Sequence, residues 1–240
     1  MRNTEDWKPS KVIRKGQFFR ASLSRDNSTS YYVRSVNLDF YVKYIREFAT
    51  GGLLDCGCGL VPYFDIYKDL VSSITCTDWQ NSLHDNRHVD VFSNLNERLE
   101  FDDRSFDTVL LTDVLEHIYT PVNLLLEIQR VLKPSGKIIL TVPFLYRIHE
   151  EPHDYQRFTE YCLRRMLQDN GFIILKLEPY GGFLDVFFDM LNKAVFRSPG
   201  LARILVPLAK AIKHTWINKR LNTSFGNRFP IGYILCAEKK

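Results

Sequence analysis

Two groups of residues in this chain have the types and spacing that chemistry needs. The first is Asp55-Cys56-Gly57-Cys58-Gly59, entered from the apolar pair Leu53-Leu54. A buried strand that empties into closely spaced glycines exposes backbone N–H groups, and such a turn cradles a nucleotide-like cofactor. Asp78 follows Gly59 by 19 residues at the end of a β-rich run, where a carboxylate can accept both hydroxyls of a ribose. The second group is His149-Glu150-Glu151-Pro152-His153-Asp154-Tyr155-Gln156-Arg157. A neutral imidazole near pH 7 suits proton removal. His149 and His153 are therefore candidate bases, with Asp154 to orient them. Tyr155 and Arg157 could hold a charged or sugar-like acceptor. A metal reading of His149, Glu150, His153 and Asp154 competes with loop-fixing hydrogen bonds, and we expect no metal centre.

These residues need a frame that brings strand ends together. Leu38, Val42, Ile45 and Phe48 share one helical face over 36–49, and 61–68 opens a second helix. Ser73–Asp78, Val89–Phe92 and Phe106–Asp113 read as further strands. Thr120-Pro121 opens a helix, with a hydroxyl cap and proline in the first turn. Pro134-Ser135-Gly136 turns into a strand at Lys137–Val142. Thr159 caps a helix that stops at Asn170-Gly171. Phe172–Leu177 and Gly232–Ala237 are the last strands. The alternation predicts an α/β fold with a doubly wound, Rossmann-like, seven-stranded sheet. Residues 1–35 read as an irregular N-terminal arm, 36–240 as the main domain, and about 183–222 as a helical insertion before the last strand.

The glycine turn alone leaves two cofactors open. A dinucleotide fold wants a third glycine, and Pro62 stands in its place. The run Ser105-Phe-Asp-Thr-Val-Leu-Leu-Thr-Asp113-Val114-Leu-Glu116-His117-Ile118, followed by Leu132-Lys-Pro-Ser-Gly136-Lys, resembles the class I S-adenosylmethionine-dependent methyltransferases. The likeness runs from about Gly52 to Phe172. It implies an S-adenosylmethionine-dependent enzyme whose last strand is antiparallel to the rest. Asp55, Cys56, Gly57 and Gly59 would then meet the methionine and ribose end of the cofactor. Asp78 would bind the ribose, Trp79 would lie against adenine, and Asn94 and Leu95 would contact the adenine edge. Asp113 and Val114 would line the methionine side. Glu116 and His117 read as helix-start polar groups.

In such a fold the segment after the fifth strand lines the crevice, so His149, His153 and Asp154 are expected near the transferred methyl. The His-Glu-x-Pro-x-Asp-x-x-Arg-Phe pattern resembles bacterial members linked to surface-glycan pathways. Methyl transfer to oxygen or nitrogen of a small polar or saccharide acceptor follows. Two alternatives are methylation of an isoprenoid-like lipid and a cofactor-binding module without turnover.

Composition narrows the partners. The net charge of +4 is too small to argue for nucleic acid. Between Phe183 and Asn222, however, basic residues outnumber acids seven to two. Leu201, Leu205, Leu208, Ile212 and Trp216 fall on one helical face there, with Arg203, Lys210, Lys213 and His214 away from it. An ordinary surface helix, a lid, a homodimer contact and a peripheral contact with an anionic membrane all fit this pattern. Five unevenly spaced cysteines fit a reduced, cytoplasmic protein. No apolar run is long enough to span a bilayer.

Overall fold

The computed structural model describes residues 1–22, 30–82, 85–195, 207–208, 211–212, 215–216, 220 and 228–240. The first element is a hairpin of β1 (Val12–Lys15) and β2 (Phe18–Ala21), paired Val12 to Ala21 and Lys15 to Phe18. Gly16, at φ +60°, makes its two-residue turn. The arm read as irregular thus contains a hairpin, and helix α1 (Tyr31–Phe48) begins before Val36.

The main sheet combines β3 (Gly52–Cys56), β4 (Ser73–Asp78), β5 (Val91–Phe92), β6 (Phe106–Thr112), β7 (Leu132–Pro143), β8 (Phe172–Tyr180) and β9 (Gly232–Lys239). Its spatial order is β5-β4-β3-β6-β7-β9-β8. β3 runs parallel to β4 and β6, and β6 to β7, while β9 is antiparallel to both its neighbours. The expected seven-stranded sheet with its antiparallel last strand is present. Side chains alternate across it: Leu53 joins a core with Tyr41, Ile45 and Tyr67, and Leu54 joins the opposite core with Leu111 and Ile128. Both faces are covered, which is why these strands are almost wholly apolar.

Four short helices complete the description: α2 (Phe64–Tyr67), α3 (Pro121–Val131), α4 (Glu160–Asp169) and α5 (Phe183–Val195). The helix expected over 61–68 shrinks to α2, because Val61 adopts φ +50° ahead of Pro62. Pro121 opens α3, yet the Thr120 hydroxyl makes no cap. Thr159 does cap α4, its Oγ1 accepting from Cys162 N at 3.2 Å, and Gly171 leaves the helix at φ +83°. The turn expected at 134–136 lies within β7, with Ser135 at φ +59°. Of the basic insertion, Leu201, Arg203, Leu205, Lys210, Lys213 and His214 lie outside the described residues. Leu208 and Trp216 are exposed. No helix among the described residues is long and apolar enough to cross a membrane.

Candidate functional site

The carboxyl ends of β3, β4, β6 and β7 open into one cavity of about 770 Å³. β4 pins the glycine turn into it: Gly57 N and Cys58 N both donate to Thr77 O, at 2.9 and 3.1 Å. Gly57 stands at φ +72°, and a Cβ there would come within 2.5 Å of Val114 Cγ2. Only glycine fits that conformation and that approach. Gly59 N donates to Asp78 Oδ2 at 2.6 Å, and Trp79 N donates to Asp78 Oδ1 at 2.7 Å. The acid read as a ribose ligand therefore also braces the turn, and it lines the cavity beside half-exposed Trp79.

Gly57, Gly59, Asp78, Trp79, Asn94, Leu95, Asp113 and Val114 all face this cavity. Asp55 and Cys56 do not. Asp55 lies beneath the turn, where its Oδ2 accepts from Tyr67 Oη at 2.7 Å. Burial drives its carboxyl up, the Tyr67 hydrogen bond opposes that, and the result is about 7. Cys56 is buried against the β6 core, which raises its thiol well above the usual range. Asp113 sits at φ +54° with its carboxylate turned back to Tyr41 Oη (2.7 Å) and Thr141 Oγ1 (3.0 Å). Asn94 donates to Glu97 Oε1 and accepts from Asn96 N, so it shapes its loop as well as the cavity wall.

The loop after β7 behaves differently from its expectation. Glu116 O accepts from Tyr155 N at 2.9 Å and Gln156 N at 3.2 Å, which ties the loop to the segment after β6. Asp154 is buried against Arg157, which forks onto both its oxygens at 2.5 and 2.7 Å. Burial pushes the Asp154 carboxyl up, but Arg157 and the His149 N–H outweigh it and hold it near 2. Arg157 is therefore engaged inside the loop and does not line the cavity. Asp154 faces His149 Nδ1 at 3.2 Å and does not orient His153.

His153 lies at the rim instead. Its ring meets Trp79 edge-on at 5.3 Å, and its Nδ1 is 2.9 Å from Tyr155 Oη. Among the sequence candidates, then, His149 and His153 both reach the cavity but at separate places. His149 packs with His117 and Tyr146, at ring distances of 4.8 and 5.2 Å. Burial, then His117, push its imidazole below the usual histidine value.

Sequence reasoning passed over the groups that complete this wall. Glu116 is fully buried, and burial followed by Asp113 raises its carboxyl well above the usual value. Arg34 and Asn37 come from α1, buried but lining the cavity. Their signal was present: Arg34, Asn37 and Tyr41 recur at 3 and 4 residues, a polar row inside an apolar helix. Tyr63, Tyr146 and Tyr180 close the same side.

The glycine cradle, the Asp78 carboxylate and the exposed indole of Trp79 suit a cofactor with a ribose and an aromatic base. The cavity is of the size such ligands occupy. Residues 54–140 match a family model described as a methyltransferase domain. An uncharacterized protein of Methanocaldococcus jannaschii is 26% identical over 196 residues, covering 73% of each chain. The mitochondrial ubiquinone biosynthesis O-methyltransferase of Schizosaccharomyces pombe is 29% identical over 125 residues, covering 46% of each. A solved S-adenosylmethionine-dependent methyltransferase of Archaeoglobus fulgidus superposes with a TM-score of 0.55 at 18% identity, over 90% of this chain and 95% of that one. That likeness is one of fold.

Proposed function

We propose that this chain, whose residues 54–140 match a methyltransferase-domain family model, is an S-adenosylmethionine-dependent enzyme that methylates a hydroxyl oxygen of a small polar or saccharide acceptor. The observation that carries this reading is the polar wall that shares a cavity with the glycine turn. Arg34, Asn37, Glu116, His117 and His149 face the same cavity as Gly57, Gly59 and Asp78. S-adenosylmethionine, when bound, supplies a methyl already activated by its sulfonium.

The chain must do the rest. The turn and Asp78 fix the cofactor, and the wall aligns the acceptor oxygen with it. Arg34 and Asn37 offer donors to acceptor oxygens from a rigid helix. Deprotonation of the acceptor hydroxyl is assigned to the cluster of Glu116, His117 and His149 in that wall, directly or through what the cluster binds. Donors and carboxylates in a largely buried wall suit a polyhydroxylated molecule better than an apolar one.

The second reading is an isoprenoid-like phenol. It is supported by the likeness to a ubiquinone biosynthesis O-methyltransferase and by exposed Leu208 and Trp216. Adenosylhomocysteine release, followed against saccharides, small polyols, amines and prenylated phenols, tests both. Release with saccharides or polyols, with a new O-methyl signal in the product, is the expected result. Release confined to amines or prenylated phenols would overturn the first reading.

A further inference from the structure

Glu116, fully buried in the short 3-10 turn Leu115–His117 after β6, has no hydrogen-bond partner for either carboxylate oxygen among the described residues. A bare carboxylate in such a place is costly unless a cation or a proton meets it. Two imidazoles converge on it. His117 Nε2 lies 3.7 Å and His149 Nε2 3.8 Å from Glu116 Oε1. One donor atom from each of the three residues falls within 4.8 Å of the other two.

The far side of each ring is also arranged. His117 Nδ1 is 2.9 Å from the His153 carbonyl, an acceptor only, so Nδ1 carries the proton and Nε2 keeps its lone pair. His149 Nδ1 stands 3.2 Å from the Asp154 carboxylate but makes no hydrogen bond to it, so the tautomer is fixed at His117 alone. Outer partners that fix the tautomer and aim the free nitrogen inward are the habit of metal-binding histidines. Glu150 Oε2 lies 3.8 Å from His117 Nε2, on the exposed side.

We propose that Glu116, His117 and His149 bind one divalent transition cation, of the zinc or manganese class, at the acceptor end of the cavity. Bonds of about 2.0–2.2 Å place ligand atoms roughly 3.0–3.5 Å apart; the two Glu116–histidine separations, 3.7 and 3.8 Å, must close by a few tenths, and the two imidazole nitrogens, within 4.8 Å of each other, by up to about 1 Å. Two nitrogens and a carboxylate suit this borderline class better than magnesium or calcium. Three protein ligands leave coordination positions toward the cavity. This rests on the proposed hydroxyl acceptor and sharpens it: the acceptor carries two neighbouring oxygens that can chelate, a vicinal diol or a catechol.

An ion held by Glu116, His117 and His149 would lower the pKa of a hydroxyl bound to it, which would release its proton to water. Its oxygen lone pair then forms the new C–O bond to the methyl carbon. The C–S bond breaks in the same step, its electron pair returning to sulfur to leave neutral adenosylhomocysteine.

The test is cation binding, measured by calorimetry with Zn²⁺ and with Mn²⁺ on the full chain after chelation, beside adenosylhomocysteine binding on the same sample. One ion per chain is expected for at least one of the two metals. Its affinity should fall at least tenfold in Glu116→Gln and in His149→Ala, while adenosylhomocysteine affinity changes less than threefold. Glu116→Gln keeps shape and removes charge, so it guards against loss of fold. No stoichiometric ion in the wild type, or binding that both variants retain, would overturn the proposal. Intact adenosylhomocysteine binding with no ion leaves the methyltransferase standing and removes only the metal. Ion binding without O-methylation of any diol or catechol overturns the chelating acceptor.

Discussion

Val114 occupies the space that a side chain on Gly57 would need. A Cβ at position 57 would stand 2.5 Å from Val114 Cγ2, with the backbone at φ +72°. The turn and the segment after β6 are thus locked together by the absence of one carbon atom.

Gly57→Ala is expected to weaken adenosylhomocysteine binding at least tenfold and to cost about 2–4 kcal/mol of stability. Gly16→Ala is the control. It shares a left-handed φ of +60° but has nothing within 4 Å of the added carbon. Its cost should stay near the backbone penalty of about 1–2 kcal/mol. Equal losses in the two variants, by thermal or denaturant unfolding, would remove the Val114 contact as the cause.

Asp55 gives a pH signature. Its ordinary value is 3.8 and its folded value about 7, so the native state holds the proton more tightly than the unfolded chain. The stability this provides is complete below about pH 4, falls as pH rises, and is gone above pH 7. The span is at most about 4 kcal/mol. Asp55→Asn cannot titrate, and its amide oxygen can still accept from Tyr67. The melting temperature of the variant relative to wild type should rise between pH 5 and pH 8. A difference that stays flat across that interval would contradict the assignment.

Asp154 and His153 should separate in kinetics. Asp154 faces His149 and anchors Arg157, whereas His153 rests on Trp79 at the rim. Asp154→Asn is expected to lower kcat at least tenfold. His153→Ala should act mainly on the KM for S-adenosylmethionine, by a few-fold. The reverse pattern would restore His153 as the group nearest the reacting hydroxyl.

Arg34 tests the acceptor wall. Arg34→Met keeps the stem and removes the donors. The acceptor KM should rise tenfold or more while adenosylhomocysteine affinity stays within threefold. A loss of cofactor affinity equal to the loss for acceptor would place Arg34 on the other ligand.

The parts of this design that were legible in the sequence are those fixed by local chemistry. Gly57, Gly59 and Asp78 announce their turn because glycine spacing and a strand-end acid are short-range constraints. The apolar strands, the Thr159 cap and the Gly171 stop are local in the same sense. The proposed acceptor wall was not legible, since it is assembled from α1, the segment after β6 and the loop after β7. Nothing local says that Asp154 turns to His149 and not to His153, because Arg157 decides it. Likewise Glu116 looks like any polar residue at a helix start until it is seen to be fully buried. Asp55, two residues before the turn, fell beneath it because strand alternation points it at Tyr67.

The place of β9 between β7 and β8 carries a consequence for how the chain folds. β8 precedes β9 in sequence but, among the described residues, has no neighbour in the main sheet except β9. Zipping from β3 outward can follow the chain only as far as β7. It must then wait for a strand from beyond α5 before β8 has anything to pair with. Such long-range closure is slow relative to the neighbouring parallel units. In a refolding experiment the turn at Gly57–Gly59 should acquire amide protection first. Tyr180, at the end of β8, should join last, so the chain gains a place for its methyl donor before it gains a complete place for the acceptor.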